Sequence, residues 1–213
     1  MKKLALSVLL MSAAAGAAFG QQWEFGVNGG GSFLNSIPVA SSAGAATTGF
    51  QTGGAFGVFM AQNLYKHVSG ELRYSYITGD LVIHSGGAIA TFAGVSHAVH
   101  YDLLLHTIGG PTRPQFFVAF GGGVKVYQGV GTEAAYQPLM QFAYLTKTRQ
   151  NEPLASLGGG VKWRVASKVL VRAEFRDYVT PFPTNVITPA FGATFKGNWL
   201  HNIVPMAGVS YMF

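Results

Sequence analysis

The sequence predicts an all-β protein, an eight-stranded antiparallel up-and-down transmembrane β-barrel, and three observations predict it. Apolar and polar residues alternate with period two along eight segments, the pattern of strands whose two faces meet different surroundings. The connections between those segments alternate between short and long, as in even-stranded barrels with both termini on the short-turn side. The charged side chains lie on the face that is otherwise rich in glycine and alanine, while the opposite face holds more aromatic rings than one small closed core requires. Hydrocarbon cannot hydrogen-bond a free sheet edge, so a sheet that crosses a bilayer closes on itself, with strands of roughly 9–11 residues.

The 213 residues are 49% hydrophobic and 10% charged, with 29 glycines and no cysteine. This composition fits one ordinary domain and excludes a disordered chain or a disulfide scaffold. Residues 1–20, MKKLALSVLLMSAAAGAAFG, run from two lysines through an apolar stretch to small residues, which is the plan of a secretory signal peptide. Cleavage is expected before Gln21, leaving residues 21–213 as the barrel domain. Loss of Lys2 and Lys3 takes the formal charge from +6 to +4. The basic residues are scattered rather than clustered, so no nucleic-acid partner is expected.

In the first segment, Glu24 to Leu34, Phe25, Val27 and Phe33 oppose Glu24, Gly26, Asn28 and Ser32. The second, Phe50 to Ala61, sets Phe56, Val58 and Met60 against Ala55, Gly57, Phe59 and Ala61, a face small enough for a narrow tube. In the third, Val68 to Ile77, Leu72, Tyr74 and Tyr76 oppose Ser69, Glu71, Arg73 and Ser75. The fourth, Phe92 to His106, places Val99, Tyr101, Leu103 and Leu105 against Ala98, His100, Asp102, Leu104 and His106. In the fifth, Phe116, Val118, Phe120, Val124 and Val126 alternate with Phe117, Ala119, Gly121, Gly123, Lys125 and Tyr127. The sixth and seventh pair across Ala166–Lys168: Leu157, Val161, Trp163 and Val165 oppose Ser156, Lys162 and Arg164, and Val171, Ala173 and Phe175 oppose Arg172, Glu174 and Arg176. The eighth, VPMAGVSYMF, ends on Phe213 with Val209 and Tyr211 on its bulky side. Short connections are expected near 62–67, 107–115 and 166–168, and long ones near 35–49, 78–91, 128–154 and 180–201.

The sidedness decides between water and lipid outside. A soluble barrel turns its apolar face inward. Here an interior polar network is expected from Glu24, Glu71, Arg73, His100, Asp102, Lys125, Lys162, Arg164, Arg172, Glu174 and Arg176, with Trp23, Phe25, Phe56, Phe116, Trp163, Phe175 and Tyr211 outside. Buried charges must be paired and hydrogen-bonded. Asp102 is expected to pair with Arg73 on the neighbouring strand, and Glu174 to relieve repulsion among Arg172, Arg176, Lys162 and Arg164. The glycine clusters 29–31, 121–123 and 158–160 lack the strand-to-helix setting of a phosphate loop. They are expected to relieve crowding and permit curvature inside a tilted tube.

The signal peptide, the eight alternating strands, the polar interior and the terminal Val-Ser-Tyr-Met-Phe together resemble the small outer-membrane β-barrel proteins of Gram-negative bacteria, the broad family of the OmpA membrane domain, OmpX and OmpW. That resemblance implies residence in the outer membrane of a Gram-negative bacterium. It also implies a monomer in contact with outer-membrane lipids and lipopolysaccharide, and an insertion signal at Val209, Tyr211 and Phe213 read by the outer-membrane insertion machinery. The expected role is structural, stabilising the membrane and presenting extracellular loops. The alternatives are a narrow channel or transporter for small or hydrophobic solutes and a lipid-modifying enzyme.

No cofactor, metal or catalytic residue is assigned. His100, Asp102 and His106 share one face, but neighbours two apart on a strand stand well separated, so an interior hydrogen-bond network is expected there rather than a metal site. Ser96 with His97, and Asp177 with His201, are the pairs nearest to a catalytic arrangement, and neither completes a nucleophile, base and orienting group. Tyr127, Tyr136, Phe142, Tyr144, Lys147, Arg149, Phe182, Phe191, Phe195 and Trp199 lie at the long connections, where contact with lipid headgroups or lipopolysaccharide is expected, with packing of the loops themselves as the alternative.

Overall fold

The computed structural model describes residues 22–107 and 113–213, so the expected signal peptide, its cleavage before Gln21 and the middle of the 107–115 turn lie outside the described residues. Fifteen strands follow in order: β1 (Trp23–Leu34), β2 (Ile37–Ser41), β3 (Gly44–Phe50), β4 (Gly53–Tyr65), β5 (Val68–Thr78), β6 (Leu81–Ser85), β7 (Ala88–Phe92), β8 (Gly94–His106), β9 (Gln115–Gly129), β10 (Ala143–Leu145), β11 (Arg149–Arg164), β12 (Val169–Pro181), β13 (Ile187–Pro189), β14 (Thr194–Phe195) and β15 (Trp199–Met212). Eight of them close into a barrel in the order β1-β15-β12-β11-β9-β8-β5-β4. Every barrel neighbour is antiparallel, and β15 returns to β1 with Phe25 opposite Tyr211 and Glu24 opposite Met212.

The expected alternation holds on all eight barrel strands. Phe25, Phe56, Phe116, Trp163, Phe175 and Tyr211 face outward, with Phe56 60% exposed, while Arg73, Glu174 and Lys162 are buried inside. An aromatic outer belt around a closed, charged lumen is a surface for hydrocarbon rather than water.

The long connections carry strands of their own. β2, β3, β6, β7 and β14 form a five-stranded sheet, and β10 pairs with β13. Together they cover one barrel mouth with an apolar core that includes Val39, Leu81, Ile83, Phe142, Val186, Ile187 and Leu200. Three boundaries are corrected with them. Phe50 ends β3 in this cap rather than opening a barrel strand, β11 begins at Arg149 rather than near Ser156, and β15 begins at Trp199 rather than Val204. The apolar residues of these stretches pack against one another, and that burial extends their strands past the membrane zone. The β6–β7 tip turns on Gly86 and Gly87, with φ of 55° and 85°, the two positive angles a tight hairpin turn of matching twist requires.

Candidate functional site: an ion-paired lumen

Ten of the eleven residues assigned to the interior network are buried, and Arg164 is half-buried at the short-turn mouth. Closure brings β5, β8 and β12 face to face across the lumen. Glu71 accepts hydrogen bonds from three guanidinium groups: Arg73 Nη2 at 2.6 Å, Arg172 Nη1 at 2.8 Å and Arg176 Nη2 at 3.1 Å. Glu174 faces the same three bases, at 2.7 Å from Arg73, 3.1 Å from Arg172 and 3.3 Å from Arg176. Towards the short-turn mouth, Lys162 donates to Glu24 at 2.7 Å, and Ser210 donates to the same carboxylate at 2.8 Å. Towards the cap, Arg176 donates to Asp102 at 2.6 Å, Asp102 sits 2.9 Å from His100 Nδ1, and His100 Nε2 lies 3.2 Å from the Tyr178 hydroxyl.

Two interior rings flank these cations. Phe59 lies 4.2 Å from the Arg172 guanidinium and 5.2 Å from that of Arg73, and Phe117 lies 5.2 Å from Arg172 and 5.7 Å from Lys162 Nζ. Space for the long side chains comes from glycine on the adjoining strand. Gly158 is in register with Arg176 and Gly160 with Glu174, and a Cβ at Gly160 would stand 2.4 Å from the Ala173 carbonyl oxygen and 2.7 Å from Glu174 Cβ. The expected relief of crowding therefore has specific partners, a charged residue opposite each of these glycines.

The four carboxylates Glu24, Glu71, Asp102 and Glu174 take Arg73, Lys162, Arg172 and Arg176 as partners, which closes the network with equal charge. Lys125 and Arg164 stand outside it at opposite ends. Lys125 is fully buried and its Nζ has no hydrogen-bond partner. It rests 4.8 Å from the centre of the Tyr127 ring, a cation–π contact. Beyond it Tyr127 bonds Thr180 at 2.8 Å, and the cap core begins.

The expected Asp102–Arg73 pair is not formed. Asp102 lies opposite Glu71 in register, and Arg73 lies opposite His100; Asp102 finds Arg176 on β12 across the lumen, and Arg73 is shared between Glu71 on its own strand and Glu174 on β12. Glu174 does separate Arg172 from Arg176, but Lys162 reaches Glu24 across the barrel rather than Glu174. His106 is apart from His100 and Asp102, with Nδ1 2.9 Å from Gln115 Nε2. Among the described residues no group of three metal-ligating side chains converges.

Ser96 faces the lumen and His97 the outside, where His97 bonds the Tyr74 hydroxyl at 2.8 Å, so these two cannot act on one substrate. His201 Nδ1 does meet Asp177 Oδ2 at 2.8 Å on the outer surface. Among the described residues no serine or threonine hydroxyl is hydrogen-bonded to either. Of the aromatic residues assigned to lipid contact at the long connections, Tyr127, Phe142 and Phe182 are buried in the cap core, whereas Tyr136, Phe191 and Trp199 are exposed.

No protein-family model matches the sequence, nor does any curated protein. Among solved structures, the chain is similar to the outer membrane protein OprG from Pseudomonas aeruginosa, with 13% identity and a TM-score of 0.60, covering 89% of this chain and 95% of that one. It is also similar to Neisserial surface protein A, with 12% identity and a TM-score of 0.51, covering 89% and 97%. At these identities the likeness concerns the fold alone. The chain has the fold of the small outer-membrane β-barrel proteins.

Proposed function

We propose that the protein is a monomeric structural barrel of the outer membrane of a Gram-negative bacterium, stabilising that membrane and presenting a folded cap outside the cell. The observation that carries this reading is the lumen. Its charges are paired across the barrel, Phe59 and Phe117 are wedged among them, and the cap core seals one mouth, an interior built for rigidity rather than passage. Small barrels whose side chains fill the interior leave no aqueous channel. The exposed Tyr136, Phe191 and Trp199, together with Lys147, Arg149 and Lys196, suit contact with lipid and anionic lipopolysaccharide at the outer interface. The outward row Val209, Tyr211 and Phe213 closes the barrel beside Phe25 and suits recognition by the insertion machinery.

The reading is tested by deletion and electrophysiology together. Loss of the protein is expected to sensitise cells to detergent, with rescue by the wild-type chain, and planar bilayers holding purified protein are expected to show no unit conductance. Stable unit steps under voltage favour the channel alternative. Hydrolysis of outer-membrane lipid by purified protein, abolished in His201→Ala, favours the enzymatic one.

A further inference from the structure

We propose that the short-turn mouth of the lumen is a binding site for an oxyanion of the phosphate class. Arg164, one of the two bases left outside the ion-paired network, sits at this mouth. Its Nη2 has only Met212 Sδ, at 3.8 Å, a weak acceptor that leaves the guanidinium charge unanswered. Arg164 lines a pocket of about 210 Å³ with Lys66, His106, Gln115, Asn63 and Glu24. That volume is below the roughly 300–1,000 Å³ of sites for drug-sized ligands, and it suits a small ion.

Three features set the sign of that ion. Glu24 is the one carboxylate side chain of the lining, and both its oxygens are engaged, Oε2 by Lys162 and Oε1 by Ser210. Lys66 forms no ion pair among the described residues. His106 Nδ1 accepts from the Gln115 amide at 2.9 Å, which places the ring hydrogen on Nε2, and Nε2 is buried without a partner. A buried donor without an acceptor is unfavourable, and an oxyanion in the pocket supplies one.

The surroundings act in the same direction. The short-turn end of the barrel exposes Lys66, Arg113 and Lys168. Among the described residues Asp80, Glu133, Glu152 and Asp177 all lie towards the cap end. With Glu24 engaged by Lys162 and Ser210, the exposed side chains at this mouth carry an excess of positive charge, which concentrates counter-ions. An arginine fork is also the side chain best matched to phosphate oxygens. The pocket stands on its own geometry; only the compartment it faces rests on the outer-membrane reading.

The test is a titration of the full barrel with inorganic phosphate, followed by calorimetry, in phosphatidylcholine nanodiscs. Saturable binding is expected, weakened about tenfold in Arg164→Gln through the loss of a charge-assisted bond. Lys66→Gln on the exposed turn is expected to weaken it by about threefold, within the range of an exposed charge contact, while Lys147→Gln at the cap end leaves it unchanged. A flat wild-type titration overturns the proposal, as does wild-type affinity in both mouth variants. Heat-modifiable gel migration reports whether each variant is folded, and Lys66→Gln decides alone if Arg164→Gln is not. Repeating the titration in phosphatidylglycerol nanodiscs separates two sources: competition identifies a lipid headgroup, and unchanged binding identifies free anion. A folded barrel that fractionates away from the outer membrane refutes the location without altering this titration.

Discussion

The barrel and its cap are built inside out with respect to each other. In the barrel the fully buried side chains include Glu71, Arg73 and Arg176, and Phe56 and Phe116 are outside. In the cap Leu81, Ile83, Val186 and Ile187 are fully buried, and Thr47 and His84 are outside. The reversal occurs within single strands. Along β12 the inward row runs Arg172, Glu174, Arg176, then Tyr178 and Thr180, and Phe182 just beyond it enters the cap core. The same backbone geometry serves both halves, so the medium outside sets what goes inside. Where hydrocarbon surrounds the sheet, the exterior supplies the apolar surface and the lumen can hold charge. Where water surrounds it, burial of apolar area provides the driving force. The level of the reversal marks where the protein leaves the bilayer.

The comparison breaks most sharply at Glu71. Glu71→Ala leaves Arg73, Arg172 and Arg176 facing one fewer carboxylate, and its expected cost is about 3–5 kcal/mol, as for a buried pair that loses one partner. Urea unfolding in lipid vesicles measures it, and a loss below about 1 kcal/mol, the scale of an exposed pair, removes the network from the account of stability. Next in size, Val58→Arg on the outward face is expected to cost about 2–4 kcal/mol if that face lies in hydrocarbon. The same measurement reports it, and a neutral result places Val58 in water.

Lys125→Met sharpens the contrast from the other side. Lys125 is buried without a carboxylate partner, so replacing it with an apolar chain of similar length is expected to be neutral or stabilising by up to about 2 kcal/mol. Lys162→Met, which removes the 2.7 Å partner of Glu24 and leaves it Ser210 and the more distant Arg172, is expected to destabilise; equal effects for the two lysines contradict the division between paired and surplus charge. The smallest effect belongs to the cap. Ile83→Val is expected to cost about 1 kcal/mol, and limited proteolysis is expected to show faster cleavage of the cap with the barrel fragment intact.

The sidedness of the barrel was legible because period-two alternation is written residue by residue: Phe56 and Val58 against Ala55 and Phe59 needs no tertiary information. The short turns near 62–67 and 166–168 were legible for the same reason. The cap was not, because its strands are only two to seven residues long and its core draws on four separate connections. Ile37, Leu81, Phe142 and Ile187 become neighbours only after the barrel has closed. Pro153 and Pro205 lie within β11 and β15, where both face outward. In the lumen the identity of the network was legible and its pairing was not. Asp102 and Arg73 are close along adjacent strands, but Arg176 approaches Asp102 from β12, across the barrel, a meeting set by closure and stagger rather than by sequence distance. Arg164 and Lys125 belong to the same parity rows as the paired residues, so only the geometry separates them from the network.

The most direct measurement of the inversion uses the absence of cysteine from the chain. A single spin label is placed at Val58→Cys on the barrel and at Ile89→Cys on the cap, both outward positions. Collisions with dissolved oxygen and with a water-soluble nickel chelate are then compared in lipid vesicles. The inverted arrangement predicts that the label at position 58 meets oxygen and is shielded from nickel, while the label at position 89 meets nickel freely. Nickel access at both positions would contradict it.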